Sequence, residues 1–151
     1  MKISVIAIFY NSEKYMHKCI DSILSQEDVD LELIAVDDCS KDNTYEILQE
    51  YEKTDNRIVI IRHDYNKGIS CARNSGIEAI TGDCFYLIDG DDHLPKNALK
   101  NLAQYFTNDT DWVQGGYNIV NEEGDIVKKR NNKTGIYRSH TEIVDNFLNE
   151  L

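Results

Sequence analysis

Apolar runs alternate with amphipathic stretches along most of the chain, and the alternation predicts its elements. Ile3 to Phe9 is almost continuously apolar, the pattern of a strand covered on both faces. Asn11 or Ser12 is placed to cap a helix with apolar positions at Met16, Cys19, Ile20, Ile23 and Leu24. Leu31 to Val36 repeats the strand pattern and stops at Asp37-Asp38. Ser40 or Asp42 then opens a helix carrying Ile47, Leu48 and Tyr51 on one face. Ile58 to Ile61 is a third strand. Gly68-Ile69-Ser70 leads into a helix with Ala72, Ile77 and Ile80, which Gly82 closes near the C′ position. Cys84 to Ile88 is a fourth strand, and Pro95 stands where a first helical turn tolerates it, ahead of Leu99, Leu102 and Phe106. Strand and helix in strict alternation predict an α/β fold, a mostly parallel sheet with helices on both faces.

The tail changes character. Trp112 to Val120 reads as a strand, Asn121 to Gly124 as a turn and Ile126-Val127 as the returning strand of a hairpin. Ser139-His140-Thr141-Glu142 forms a capping box ahead of Ile143, Val144, Phe147, Leu148 and Leu151, so a helix with a wide apolar face is expected to follow.

Composition narrows the class. The 151 residues fit one domain with a real core, and 41% hydrophobic content separates the chain from disordered sequences. No apolar run approaches the roughly 20 residues of a membrane span. Met1 to Phe9 runs into polar Tyr10-Asn11-Ser12-Glu13 without a small-residue cleavage site, so it reads as a strand rather than a signal peptide. A net charge of −11 argues against nucleic acid as a partner. Cys19, Cys39, Cys71 and Cys84 are widely spaced, which points to reduced thiols in a cytoplasmic setting rather than a zinc site or disulfide framework.

Ligands of open α/β sheets bind beyond the carboxyl ends of the strands. That rule gathers Tyr10-Asn11, Asp37-Asp38, Asp64 to Gly68 and Asp89-Gly90-Asp91-Asp92 on one edge. Three carboxylates within four residues repel one another. A hard divalent cation relieves that repulsion, and Mg2+ or Mn2+ suits carboxylates plus phosphate. The same cluster also reads as a solvated acidic loop or an Asp-rich helix start. One of Asp37 and Asp38 caps the next helix, while the other is placed to accept a hydrogen bond from a base N–H. Tyr10 is placed to stack on a ring or to cover the sheet edge. Gly68 permits close backbone approach at a helix N-terminus. His93 reads as a ligand contact or as a surface histidine, and Arg73-Asn74 either reaches the site or locks its loop.

Ser4-Val5-Ile6 through Tyr10-Asn11, Asp37 to Thr44, Asn66-Lys67-Gly68 with Ala72-Arg73-Asn74, and Asp89-Gly90-Asp91-Asp92 together resemble the family 2 glycosyltransferases of GT-A fold. The blocks stand in the family's order and spacing over residues 3–107, and 112–151 is similar to the family's next segment. The resemblance implies a Rossmann-like three-layer sandwich, one donor-binding domain over 1–151. Its nucleotide- and metal-binding core would occupy 1–107, and the acceptor-side region would begin in 108–151. It implies inverting transfer of a sugar from a nucleotide-diphosphate donor, commonly UDP-linked, to a saccharide or lipid-linked acceptor. Such reactions most often serve bacterial polysaccharide synthesis, in the cytoplasm or at the inner face of the membrane. By matching position, Ile8 and Tyr10 would contact the nucleoside, Asp38 the base, and Lys67 a loop near it. Asp89 and Asp91 would form the D-x-D pair at the diphosphate and metal, with Asp92 beside them.

Ile8 stands where family members often carry Pro, which leaves a backbone contact possible; Cys39 stands where Gly or Asn is frequent. The family's general base and acceptor surface lie beyond position 151, so the chain is expected to be a truncated donor-binding part. Its last helix would pack on this sheet, on a missing segment or on a second copy in a homodimer. Two other readings compete. A nucleotidyltransferase or other metal-dependent nucleotide enzyme calls for a Gly-rich basic loop after the first strand, and none is present. A non-catalytic nucleotide-sugar-binding module would keep the site without the transfer.

Overall fold

Each of the four apolar runs forms a strand. In the computed structural model, which describes residues 1–107 and 110–130, β1 is Lys2–Phe9, β2 Asp30–Asp37, β3 Ile58–Arg62 and β4 Cys84–Asp89. They are parallel and ordered β3-β2-β1-β4. The helices between them are α1 (Met16–Leu24), α2 (Thr44–Thr54) and α3 (Ile69–Glu78), and α4 (Ala98–Ala103) follows β4.

Strand alternation divides the core. Ile3, Val5, Ala7 and Phe9 of β1 with Leu31, Leu33 and Ala35 of β2 meet Met16, Cys19, Ile20, Ile23, Leu48 and Leu99 from α1, α2 and α4. The opposite face, Ile6, Ile8, Ile34 and Val36, packs on Ala72 of α3. Helices thus cover both faces, as the alternation predicted. Given this order, the faces that the helices take accord with the right-handed crossover preference. Two connections step outward from β1 with their helices on one face, and the reversal to β4 carries α3 to the other. The reversal lies between β1 and β4.

Several boundaries differ from the sequence reading. Neither Asn11 nor Ser12 caps α1 with its side chain; the Ser12 carbonyl accepts from Tyr15 and Met16 N–H instead, and the helix starts at Met16. α2 starts after Asn43, with Asp42 Oδ1 accepting from Thr44 N–H. Ile77 is exposed, and Gly76 rather than a side chain makes the tight contact of α3: a Cβ there would lie 2.3 Å from Ile6 Cγ2. Gly82 is not a helix cap, since α3 has ended at Glu78; it lets the chain pass the edge of β1, where a Cβ would lie 2.7 Å from the Lys2 carbonyl. Pro95 lies ahead of α4, its carbonyl accepting from Ala98 N–H. The helix stops at Ala103, short of Phe106.

The connection into β4 is locked by a buried carboxylate. Glu32 accepts from Ser4 Oγ (2.6 Å), Thr81 N–H (2.8 Å) and Thr81 Oγ1 (2.6 Å), and pairs with Lys2 Nζ. Burial opposes its charge, yet the bonds from Lys2, Ser4 and Thr81 outweigh that and hold its pKa down to about 2, from an ordinary 4.5. A depressed folded pKa means stability present above the ordinary value and lost as pH falls through the folded one. Urea denaturation is therefore expected to show stability falling from pH 4.5 towards about 2. Glu32→Gln is expected to lose about 2 kcal/mol at neutral pH and most of that acid dependence.

The chain divides into two compact units, Met1–Tyr105 and Phe106–Leu151. In the second, β5 (Tyr117–Val120) and β6 (Ile126–Arg130) form the expected antiparallel hairpin. Its first strand begins at Tyr117, not Trp112. Asn121 Oδ1 accepts from Asp125 N–H across the turn, where Gly124 takes a φ of 88°. The capping box at 139–142, the helix after it and any dimer contact through that helix lie outside the described residues.

Candidate functional site

Beyond the carboxyl ends of the strands, the backbone ladders run on for one more step. Asp38 N–H donates to the Phe9 carbonyl, His63 N–H to the Asp37 carbonyl and Gly90 N–H to the Ile8 carbonyl, each at 2.9 Å. The end of β1 is thereby flanked by Asp38 on one side and Gly90 on the other. An open cleft of about 460 Å³ lies there, lined by Ile8, Tyr10, Asp38, Gly68, Asp89 and Asp91 among others. This is the topological switch point, where open α/β sheets bind their ligands.

The wall of the cleft that follows β1 and β2 is built from interlocked loops. Asn11 adopts a φ of 51°, held by its N–H to Ser40 Oγ and its Oδ1 accepting from Lys41 N–H. Ser12 N–H donates to Thr44 Oγ1 at 2.8 Å. Cys39, at a φ of 64°, occupies a left-handed conformation suited to Gly or Asn. Tyr10 stands out of the sheet, 46% exposed, with its ring at the cleft.

Asp37 and Asp38 have separate tasks. Asp37 is fully buried; its Oδ1 accepts from Ser40 N–H and its Oδ2 lies 3.3 Å from Arg62 Nε. Asp38 is 2% exposed and holds the loop after β3. Its Oδ1 accepts from Lys67 N–H (2.8 Å) and His63 Nδ1 (2.7 Å), and its Oδ2 from Gly68 N–H (2.8 Å). Burial disfavours its charge, but the bonds from His63, Lys67 and Gly68 prevail and keep its carboxyl below the usual range. Gly68, at a φ of 83°, turns the chain into α3. The Lys67 side chain is exposed over the Tyr65 ring rather than lining the cleft.

The acidic wall follows β4. Gly90 has no room for a side chain: a Cβ would lie 2.4 Å from Phe9 Cδ1 and 2.7 Å from the Ile8 carbonyl. This close passage aims Asp89 and Asp91 into the cleft. Arg73 Nη2 donates to Asp89 Oδ1 at 2.9 Å, so Arg73 reaches the site and offsets its charge. Asp92 turns back, its N–H on the Asp89 carbonyl, and is not a lining residue. Loss of solvent around it, then the charges of Asp91 and Asp89, push its carboxyl up. His93 is half-buried and away from the lining; burial, then Lys18, lowers its pKa.

Among the described residues no three His, Cys, Asp or Glu side chains converge as a preformed metal cage. The donor set nevertheless suits a hard cation that arrives with its ligand. Two carboxylates, Asp89 and Asp91, face the same cleft, and Mg2+ is typically bound through one or two carboxylates plus substrate phosphates. All four cysteines are free, and burial followed by the Asp92, Asp91 and Asp89 charges raises the Cys19 thiol to about 12, which makes it an inert core residue. No described helix is long and apolar enough to cross a membrane.

The sequence reading missed His63, which the fold inserts between Asp38 and Ser75. Its one signal was position, a polar residue two places after the apolar run of β3.

The parallel sheet, with its helices on both faces and a polar cleft at the switch point, has the α/β architecture of the GT-A glycosyltransferases. The chain belongs to glycosyl transferase family 2, whose family model matches residues 4–150. The putative teichuronic acid biosynthesis glycosyltransferase TuaG of Bacillus subtilis is 35% identical over 128 residues, 84% of this chain and 51% of that protein. S. aureus TarS 1-349 in complex with UDP-GlcNAc superposes with a TM-score of 0.64 at 34% identity, covering 69% of this chain and 30% of that one. The mannosyltransferase PcManGT of Pyrobaculum calidifontis, in complex with GDP-Man and Mn2+, shares the fold with a TM-score of 0.67 at 23% identity, covering 72% and 33%. The chain spans 17% to 51% of the lengths of eight curated relatives that it matches.

Proposed function

We propose that this chain is the donor-binding part of an inverting glycosyltransferase that takes a UDP-linked sugar and serves cell-surface glycan synthesis, with a saccharide or lipid-linked acceptor. The observation that carries the reading is the switch-point cleft, with Tyr10 and Asp38 on one wall and Asp89 and Asp91 on the other. Tyr10 and the Ile8 backbone border the nucleoside, and the Asp38 carboxylate keeps an acceptor position for a base N–H beside the loop it holds at Lys67 and Gly68. Asp89 and Asp91 face the diphosphate and would hold Mg2+ or Mn2+, with Asp92 behind them. The cation would offset the charge that develops on the departing diphosphate. TarS with UDP-GlcNAc supports the donor class, PcManGT with Mn2+ the metal, and TuaG the glycan setting. We place the reaction in the cytoplasm or at the inner face of the membrane. The roles assigned here are donor binding and orientation; the base that takes the acceptor proton is assigned to none of these residues.

Calorimetric titration with UDP tests the site. Saturable binding is expected with Mn2+ present, weaker by at least about tenfold without it, and weaker by about tenfold in Asp91→Asn. Metal-independent binding, or an Asp91→Asn protein that binds like the wild type, would contradict the assignment.

A further inference from the structure

We propose that His63 is a positioning residue for the nucleoside side of the cleft, a buried imidazole that fixes the Asp38 carboxylate and through it the backbone of Lys67 and Gly68. The proposal rests on the nucleotide-binding reading and adds a residue that does not line the cleft. His63 and Asp38 side chains are each 3% exposed, with Nδ1 and Oδ1 2.7 Å apart. The opposite edge of the ring, Nε2, lies 2.9 Å from Ser75 Oγ on α3. Asp38 in turn receives the N–H groups of Lys67 and Gly68, and Gly68 begins α3. The hydrogen bonds therefore close a ring: α3 at Ser75, the imidazole, the carboxylate, and the N-cap of α3 at Gly68.

The ring matters because little else holds this loop. Asp64, Tyr65, Asn66 and Lys67 are all exposed, so no buried side chain fixes their path. The other ties are short-range or weak: Asn66 Oδ1 accepting from Gly68 N–H at 3.1 Å, and Cys39 Sγ–H on the Asp64 carbonyl at 3.6 Å. His63 itself is kept in place by its N–H on the Asp37 carbonyl. With Asp38 ionised, Nδ1 carries a proton. Nε2 then accepts from the Ser75 hydroxyl if the ring is neutral and donates to it if the ring is charged, because a hydroxyl does either. Both bonds thus survive in either protonation state. Without the ring, Asp38 loses a charge-assisted bond and a neighbour that blocks its rotation.

The test uses the 151-residue chain, amide hydrogen exchange and UDP calorimetry with Mn2+. In His63→Ala, exchange at the Lys67 and Gly68 amides is expected to rise at least about tenfold, with β1 and β2 amides unchanged, and UDP to bind about tenfold more weakly. His63→Asn, whose amide N–H takes the place of Nδ1–H, is expected to return both quantities to within about threefold of wild type. Wild-type exchange and affinity in His63→Ala, or an Asn variant as impaired as the Ala variant, would overturn the proposal. Should His63→Ala not fold, Ser75→Ala against Ser75→Thr reads the same linkage. Threonine, keeping the hydroxyl, is expected to preserve loop protection and UDP affinity, and alanine to lower both; equal behaviour of the two overturns the proposal. A wild-type chain that binds no UDP contradicts the transferase reading instead, and the exchange data then decide alone whether His63 governs the loop.

Discussion

Replacing Asp38 by alanine is expected to cost about 3–5 kcal/mol of stability and to weaken UDP binding at least about a hundredfold, the largest effect of any single change at this site. Three donors converge on this carboxylate, His63 Nδ1 and the N–H groups of Lys67 and Gly68, and the substitution removes their shared acceptor, leaving Gly68 N–H only its 3.1 Å bond to Asn66 Oδ1. Asparagine is expected to rescue only part. Its amide NH2 must face either Gly68 N–H or the pair at Oδ1, so donor meets donor in both orientations. The pH dependence follows from the depressed pKa of Asp38. Its contribution is present above the ordinary carboxylate value of 3.8 and is lost as pH falls below it. Denaturation of wild type and Asp38→Asn between neutral pH and pH 3 is expected to show the difference shrinking towards the acid end.

Gly90→Ala is expected to lose about 3 kcal/mol and to impair donor binding with it, through space rather than backbone angle. The added carbon meets Phe9 Cδ1 at 2.4 Å and the Ile8 carbonyl at 2.7 Å. Phe9 is fully buried, and that carbonyl accepts from Gly90 N–H, so neither yields without parting β1 from β4. The carboxylates of Asp89 and Asp91 ride on the same turn and move with it. Gly68→Ala provides the contrast. Nothing lies within 4 Å of its Cβ position, yet the φ of 83° makes alanine strained by about 1–2 kcal/mol. Chemical denaturation of the two variants, with UDP affinity measured alongside, separates crowding from backbone strain.

The alternation of apolar runs with amphipathic stretches was enough to read the elements and the sheet edge, because each parallel strand leaves a near-continuous apolar run. Tyr10, Asp38, Asp89 and Asp91 were legible as cleft-lining positions because each closely follows such a run, and Gly68 because it opens a helix. What stayed hidden depends on strand order. β3 and β4 read like β1 and β2, yet they are the outer strands of this sheet, and Val59, Phe85 and Leu87 are exposed there. Gly82 looked like a helix terminator because local pattern cannot show a strand passing 2.7 Å away. His63 and Asp38 are 25 residues apart, and Arg73 and Asp89 are 16 apart; only the fold brings each pair together. The start of α1 was misplaced because its orphan N–H groups meet a carbonyl rather than the side chain a capping pattern looks for.

The central claim is that the cleft between the ends of β1 and β4 holds a nucleotide diphosphate through Asp89 and Asp91. Amide chemical shifts of the isotopically labelled chain, titrated with UDP and Mg2+, test it most directly. Shifts are expected to concentrate at 8–12, 38–39, 66–69 and 89–92, and Mn2+ in place of Mg2+ to broaden the 89–92 signals first. Saturable shifts centred elsewhere, or Mn2+ broadening that spares 89–92, would contradict it.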